Sequence, residues 1–173
     1  MPQPPEKTGS TKQEEGEAST PAIQFLAFKI DNEEYGVDIN AVREIKGWIP
    51  ATRLPNAPRY VRGVINLRGL MVPVYDLRAR FGGGETEITR THVVIIVKVK
   101  ERIFGVLVDG VSDILTVTED QIKPAPDMGR AVDSGYLRGL ISINDRLVAL
   151  LALDRLFPIG EIEDGNIAAL ASA

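Results

Sequence analysis

Tyr35-Gly-Val-Asp-Ile-Asn-Ala-Val-Arg-Glu-Ile45 aligns without a gap on Phe104-Gly-Val-Leu-Val-Asp-Gly-Val-Ser-Asp-Ile114, with four of eleven positions identical and Tyr/Phe, Ile/Val, Asn/Asp and Glu/Asp as near matches. Further out, Tyr60 to Phe81 aligns on Tyr136 to Phe157, again without a gap, with seven identities in 22. The offset is 69 in the first pair and 76 in the second, so the second copy carries seven more residues between its motifs. A period of about 70 residues is too long for a solenoid. It fits a duplicated small β unit, each copy marginal alone and therefore packed on the other. The copies differ at a hairpin tip. The second turns at Asn144-Asp145, residues that accept positive φ readily, and the first has Arg68-Gly69 there. Glycine serves the turn, but arginine gains nothing from its geometry. Arg68 is either a solvated turn residue or one that reaches into a partner or a neighbouring groove.

The segments around the repeats alternate apolar and polar residues, are rich in Val and Ile, and are broken by Gly, Pro, Asn and Asp. This pattern predicts short strands at Ile23–Ile30, Tyr35–Ile39, Trp48–Leu54, Gly63–Leu67, Leu70–Tyr75, His92–Val99, Ile103–Val108, Ile114–Val117, Leu137–Ile143 and Arg146–Leu153. Brief helical turns fit at Asn40–Ile45, Asp76–Phe81 and Leu153–Phe157. The expected fold is mainly β. Met1–Pro21 is polar, with Met1 and Ala18 its only apolar residues besides proline, and reads as a disordered acidic tail. The ordered part is expected over 22–159, in duplicated units of roughly 22–84 and 85–159, followed by a tail at 160–173.

Composition narrows the function. The 173 residues include 20 Lys+Arg, 24 Asp+Glu, one His and no Cys. The lack of cysteine excludes a disulfide framework, a zinc ribbon and a thiol nucleophile, and the single His removes most hydrolytic and metal-dependent chemistry. The tails hold seven of the acidic groups and two of the basic ones, which leaves the body 18 basic and 17 acidic residues. Such a balance argues against nucleic-acid binding, which needs a basic stripe. The longest wholly apolar run, Leu147–Leu153, is far too short to cross a bilayer, and residues 1–21 show no signal peptide, so a cytoplasmic protein is expected. Thirteen of the 18 cations are Arg, either a compositional habit or a preference for planar contacts with another protein.

No catalytic constellation is visible. Gly82-Gly83-Gly84 lacks the Gly-Lys-Ser/Thr of a phosphate loop and reads as a connector. His92 reads as a satisfied strand-end histidine. Asp109 and Asp113 lack calcium-loop spacing and suggest a solvated turn, and Glu33-Glu34 falls in an expected hairpin turn. The expectation is no catalytic residue, metal or cofactor.

At Glu34-Tyr-Gly-Val-Asp-Ile, Val42-Arg-Glu-Ile, Gly63-Val-Ile-Asn-Leu-Arg-Gly, Val72-Pro-Val-Tyr-Asp-Leu-Arg and Val108-Asp-Gly-Val-Ser-Asp the chain resembles the CheW coupling proteins of bacterial chemotaxis, from about Ile23 to Phe157. The resemblance implies two packed five-stranded SH3-like β-barrel subdomains. It also implies a non-enzymatic adaptor between the cytoplasmic tips of transmembrane chemoreceptors and the regulatory domain of the CheA histidine kinase. Such an adaptor is expected to be a monomer alone, to form arrays with its partners at the membrane, and not to insert into the membrane itself. By the same resemblance Val42, Glu44, Arg68, Val93, Val94 and Ile114 form a receptor-binding groove, Ile39 and Met71 a kinase contact, and Lys123 and Met128 a ring-assembly contact. A coupling protein of a parallel pathway, such as pilus-driven motility, would share these features. A small β-barrel enzyme or ligand-binding protein is the rival of another class.

Overall fold

The computed structural model describes residues 21–125 and 134–157. Ten strands run in order: β1 Ala22–Ile30, β2 Glu33–Asp38, β3 Val42–Gly47, β4 Val61–Leu67, β5 Leu70–Asp76, β6 Val93–Val99, β7 Arg102–Val108, β8 Gly110–Thr118, β9 Leu137–Ile143 and β10 Arg146–Leu151. Two single-turn helices, α1 Leu77–Arg80 and α2 Leu153–Leu156, close the two halves where helical turns are expected. The strands form two five-stranded sheets, a first in the order β8-β1-β2-β10-β9 and a second in the order β3-β6-β7-β5-β4.

The repeat maps β1–β5 onto β6–β10, and this mapping converts one strand order into the other position by position. Neither sequence copy forms a sheet by itself. The first sheet joins the β1–β2 hairpin of copy one to β8, β9 and β10 of copy two, and the second sheet is the converse. Parallel pairs make the joins, β2 with β10 and β5 with β7. At both joins a glycine faces a bulky side chain. A Cβ on Gly36 would lie 3.0 Å from Leu150 Cδ2, and one on Gly105 would lie 2.6 Å from Val94 Cγ1.

Neither sheet is a closed barrel. Each curls until the chain beyond one edge strand meets the other edge at a single bridge. After β3, Thr52 exchanges hydrogen bonds with Val64 of β4 at 2.8 and 2.9 Å, and after β8, Lys123 exchanges them with Leu140 of β9 at 2.8 and 2.7 Å. The expected strand at Trp48–Leu54 is therefore extended chain with one bridge, because Pro50 cannot donate to a ladder. The expected helical turn at Asn40–Ile45 is also corrected. Only Ile39–Ala41 is helical, as a 3-10 turn capped by Asp38, and Val42-Arg-Glu-Ile pairs with β6. Asp31, at φ 56°, makes the β1–β2 turn, so Glu33 and Glu34 lie in β2 and not in the turn itself. Asp113 likewise lies within the nine-residue β8.

Three apolar clusters hold this arrangement. Phe25, Leu115, Val117, Ile141, Val148 and Leu150 fill the concave side of the first sheet, and Ile65, Val72, Val74, Val94, Ile96 and Leu107 fill that of the second. The largest cluster lies between the sheets and contains Tyr75 stacked on Phe157 at 4.4 Å between ring centroids. Burying such a side chain contributes about 2–3 kcal/mol, so the sheets stabilise one another.

Candidate functional site

The groove residues implied by the sequence centre on β3 and the β4–β5 turn. In β3 the ladder to β6 skips Arg43, pairing Val42 with Val97 and Glu44 with Ile96. This bulge and the alternation after it direct Glu44 and Lys46 to one face and Ile45 to the other. Ile45 is 44% exposed. Arg68 sits at the tip of the β4–β5 hairpin at φ 54°, a left-handed conformation uncommon for arginine. Its guanidinium donates to both Glu44 oxygens, Nη1 to Oε2 at 2.7 Å and Nη2 to Oε1 at 3.2 Å. Lys46 Nζ lies 3.3 Å from Glu44 Oε1. The hydrogen bond from Arg68 is the chief reason the Glu44 carboxyl is held below the ordinary carboxylate range. Arg68 remains 73% exposed, so this fork orients the guanidinium in water and adds little to stability.

The other expected groove residues are placed unevenly. Val42 and Val93 are half-buried at the edge of the cluster between the sheets, with Val93 opposite Gly47 across the β3–β6 ladder. Val94 is fully buried in the second sheet's core and offers no side-chain surface to a partner. Ile114 is 53% exposed but belongs to β8 of the first sheet, where it is the repeat counterpart of Ile45. Ile39 lies half-buried in the 3-10 turn, packed on the cluster between the sheets. Met71, on β5 beside the exposed Leu70, is 39% exposed. Lys123 makes the bridge to β9 and donates from Nζ to the Asp120 carbonyl at 3.0 Å. Met128 lies outside the described residues.

Sequence reasoning missed Ile45 and Lys46. Ile45 was within reach, because its alignment with Ile114 makes the two an equivalent exposed pair. Two further polar clusters are structural. Asp76, fully buried, accepts from Thr86 N and Thr86 Oγ1, both at 2.7 Å, and from Ala79 N at 3.3 Å. His92 accepts on Nδ1 from the Thr89 N–H at 2.9 Å, which leaves Nε2 to donate to Asp109 at 3.1 Å. Among the described residues no group of three His, Asp or Glu is placed to hold a metal ion. None of their helices is long and apolar enough to cross a membrane.

Two interlocked sheets, each with an exposed isoleucine on its edge strand next in sequence to an arginine-paired carboxylate, fit a protein-interaction module. The CheW-like domain family matches residues 24–161. The chain is 47% identical over 140 residues to the chemotaxis protein CheW of Rhizobium meliloti, covering 81% of this chain and 90% of that one. It is 40% identical over 139 residues to that of Klebsiella aerogenes, covering 80% and 84%. The crystal structure of the scaffolding protein TtCheW from Thermoanaerobacter tengcongensis superposes with a TM-score of 0.74 at 28% identity, covering 87% of this chain and 96% of that one. The chain belongs to the CheW family of chemotaxis scaffolding and coupling proteins, which are adaptors and not enzymes.

Proposed function

We propose that this adaptor binds the cytoplasmic tips of transmembrane chemoreceptors through one surface and the regulatory domain of a CheA-type histidine kinase through another, recruiting the kinase to receptor arrays at the cytoplasmic face of the membrane. The observation that carries the reading is Arg68. A two-residue hairpin tip holds an arginine in a conformation better suited to Asn or Gly, and Glu44 orients its guanidinium on the face of β3 opposite the exposed Ile45. Five fixed donors suit the polar residues on one face of a helical hairpin. On this reading Val42, Glu44, Arg68, Val93 and Ile114 meet the receptor, and Val94 supports Val93 from within. Ile39 and Met71 meet the kinase, and Lys123 and Met128 serve ring assembly. Each curled sheet is taken as an SH3-like unit; the expected tails at 1–21 and 160–173 lie, apart from Pro21, outside the described residues.

The test is separability. Met71→Glu places a charge on an exposed apolar position and should weaken kinase binding by about 2 kcal/mol or more, while binding to receptor-containing membranes persists. Glu44→Arg should do the opposite, placing like charges beside Arg68 and Lys46. Loss of both activities in either folded variant, or of neither, would defeat the two-surface reading.

A further inference from the structure

The edge strand of each sheet carries the same device: a bulge, then a carboxylate, then an exposed isoleucine. In β3 these are Arg43, Glu44 and Ile45. In β8 the ladder to β1 pairs Ala27 with Asp113 and Phe28 with Val111, so Ser112 is the bulged residue, followed by Asp113 and Ile114. A bulge that moves by one residue reverses which side chains face the core. With the bulge at Ser112, Asp113 shares the inner face with Leu115 and Val117, and Ile114 points outward. Something must hold it there, because Ser112 and Asp113 have no bulk to bury.

The holder is Arg146, the first residue of β10. Nε donates to Glu34 Oε2 at 2.9 Å and Nη2 to Glu34 Oε1 at 2.5 Å, while Nη1 and Nη2 donate to the two Asp113 oxygens at 3.1 and 3.0 Å. One guanidinium thus ties β8 to β2 and β10, strands that are not its neighbours in the ladder. The network is not a requirement of the topology. Its counterparts in the second sheet are Ile103, Glu44 and Leu70, and that sheet has the same strand order without it. There the carboxylate after the bulge is held instead by Arg68, from a non-equivalent position.

We propose that Arg146 is a positioning residue: by clamping Asp113 it fixes the bulge at Ser112 and so displays Ile114 for contact with the receptor. The contact rests on the receptor reading above, whereas the clamp does not, and the experiment separates them. In full-length protein, Arg146→Gln keeps a cooperative melt. Amide hydrogen exchange at Ser112 to Ile114 speeds up, and the Ile114 methyl resonance shifts or splits. Binding to membranes carrying a full-length chemoreceptor falls about fivefold or more, and adding Ile114→Ala to that variant lowers it by less than about twofold further. Arg146→Lys, which can reach one carboxylate but not fork to two, recovers part of the binding. Unchanged exchange and an unchanged methyl resonance in Arg146→Gln overturn the clamp. If Ile114→Ala alone leaves membrane binding intact, the receptor role of Ile114 fails while exchange and methyl readouts still decide the clamp. Should Arg146→Gln not fold, Asp113→Asn, which weakens one fork only, decides by the same two spectroscopic readouts.

Discussion

The two sheets have one strand order and two sets of fastenings. Where the chain crosses from β3 to bridge β4, Gly63 stands at φ 142° with the Thr52 carbonyl oxygen 2.2 Å from the place of a Cβ. Its counterpart Gly139 has no φ in the left-handed region, and a Cβ there would meet Ile122 Cγ2 at 2.6 Å and the Lys123 carbonyl oxygen at 2.8 Å. At the end of β5, buried Asp76 caps α1 and ties down Thr86, whereas the equivalent residue just past β10 is Ala152, whose side chain caps nothing. At the hairpin tips, Arg68-Gly69 faces Asn144-Asp145, and all four residues take positive φ. Duplication preserves what the topology needs, namely the close-approach glycines, the aromatic residues at Tyr35/Phe104, Tyr60/Tyr136 and Phe81/Phe157, and the pairing pattern. It lets capping and turn residues drift toward whatever each sheet does next.

The largest expected single effect lies at the bridge glycines. Gly63→Ala must accept a strained φ and displace backbone, so it should cost about 4 kcal/mol, whereas Gly139→Ala, relieved in part by movement of the Ile122 side chain, should cost about 2 kcal/mol. Denaturant unfolding of the two variants measures both, and equal losses would mean that the bridges are not distinct. Between them falls Asp76→Ala, which copies Ala152 and leaves the buried Thr86 N–H and hydroxyl without an acceptor, at a cost of about 3 kcal/mol. A neutral outcome would show that Thr86 finds another partner and that the two sheets are fastened alike.

A smaller difference should appear in acid. Glu34 and Asp113 are held below the ordinary carboxylate range, in each case chiefly by hydrogen bonds from Arg146, and Lys29 adds to the effect on Glu34. A carboxyl whose folded value is depressed contributes stability that is fully present above its unfolded value, about pH 4, and is lost as pH falls through the folded value. The unfolding free energy should therefore decline below about pH 4, and Arg146→Leu, which copies Leu70 of the other sheet, should flatten that decline. Water screens both carboxylates, so the change in slope is modest. An identical acid profile in parent and variant would detach the first sheet from this network.

The repeat made the symmetry of the fold legible, because gapless alignment over Tyr60–Phe81 and Tyr136–Phe157 requires the same elements in both places. The exchange of strands between copies was not legible. An apolar alternation fixes which face of a strand is buried but carries no label for its neighbour, and β2 pairs with β10 across more than a hundred residues. The β3 strand was hidden because Val42-Arg-Glu-Ile is as compatible with a helical turn as with an edge strand, and only its ladder to β6 decides. Arg68 could be singled out from its sister turn, yet its partner Glu44 came from a family resemblance, and the Arg146 network was not foreseen at all. Sequence spacing suggests a solvated turn at Asp113, because it does not bring together β2, β8 and β10.

The smallest expected effect on the fold belongs to Arg68, and it sharpens the comparison most. Arg68→Asn gives the first hairpin the tip residue of its sister. Asparagine tolerates the left-handed conformation better than arginine, and the ion pair it removes is exposed, so the melting curve should be unchanged or slightly improved. Glu44 would lose the main donor that lowers its carboxyl and keep only Lys46. A short amide cannot supply the five donors of a guanidinium, so receptor-dependent stimulation of the kinase in a reconstituted mixture should fall by about fivefold or more. Direct kinase binding should persist, because Met71 lies on a strand of the hairpin and not at its tip. A variant that melts normally and stimulates the kinase as well as the parent would make Arg68 a solvated turn residue, and the two hairpin tips would then differ in sequence but not in use.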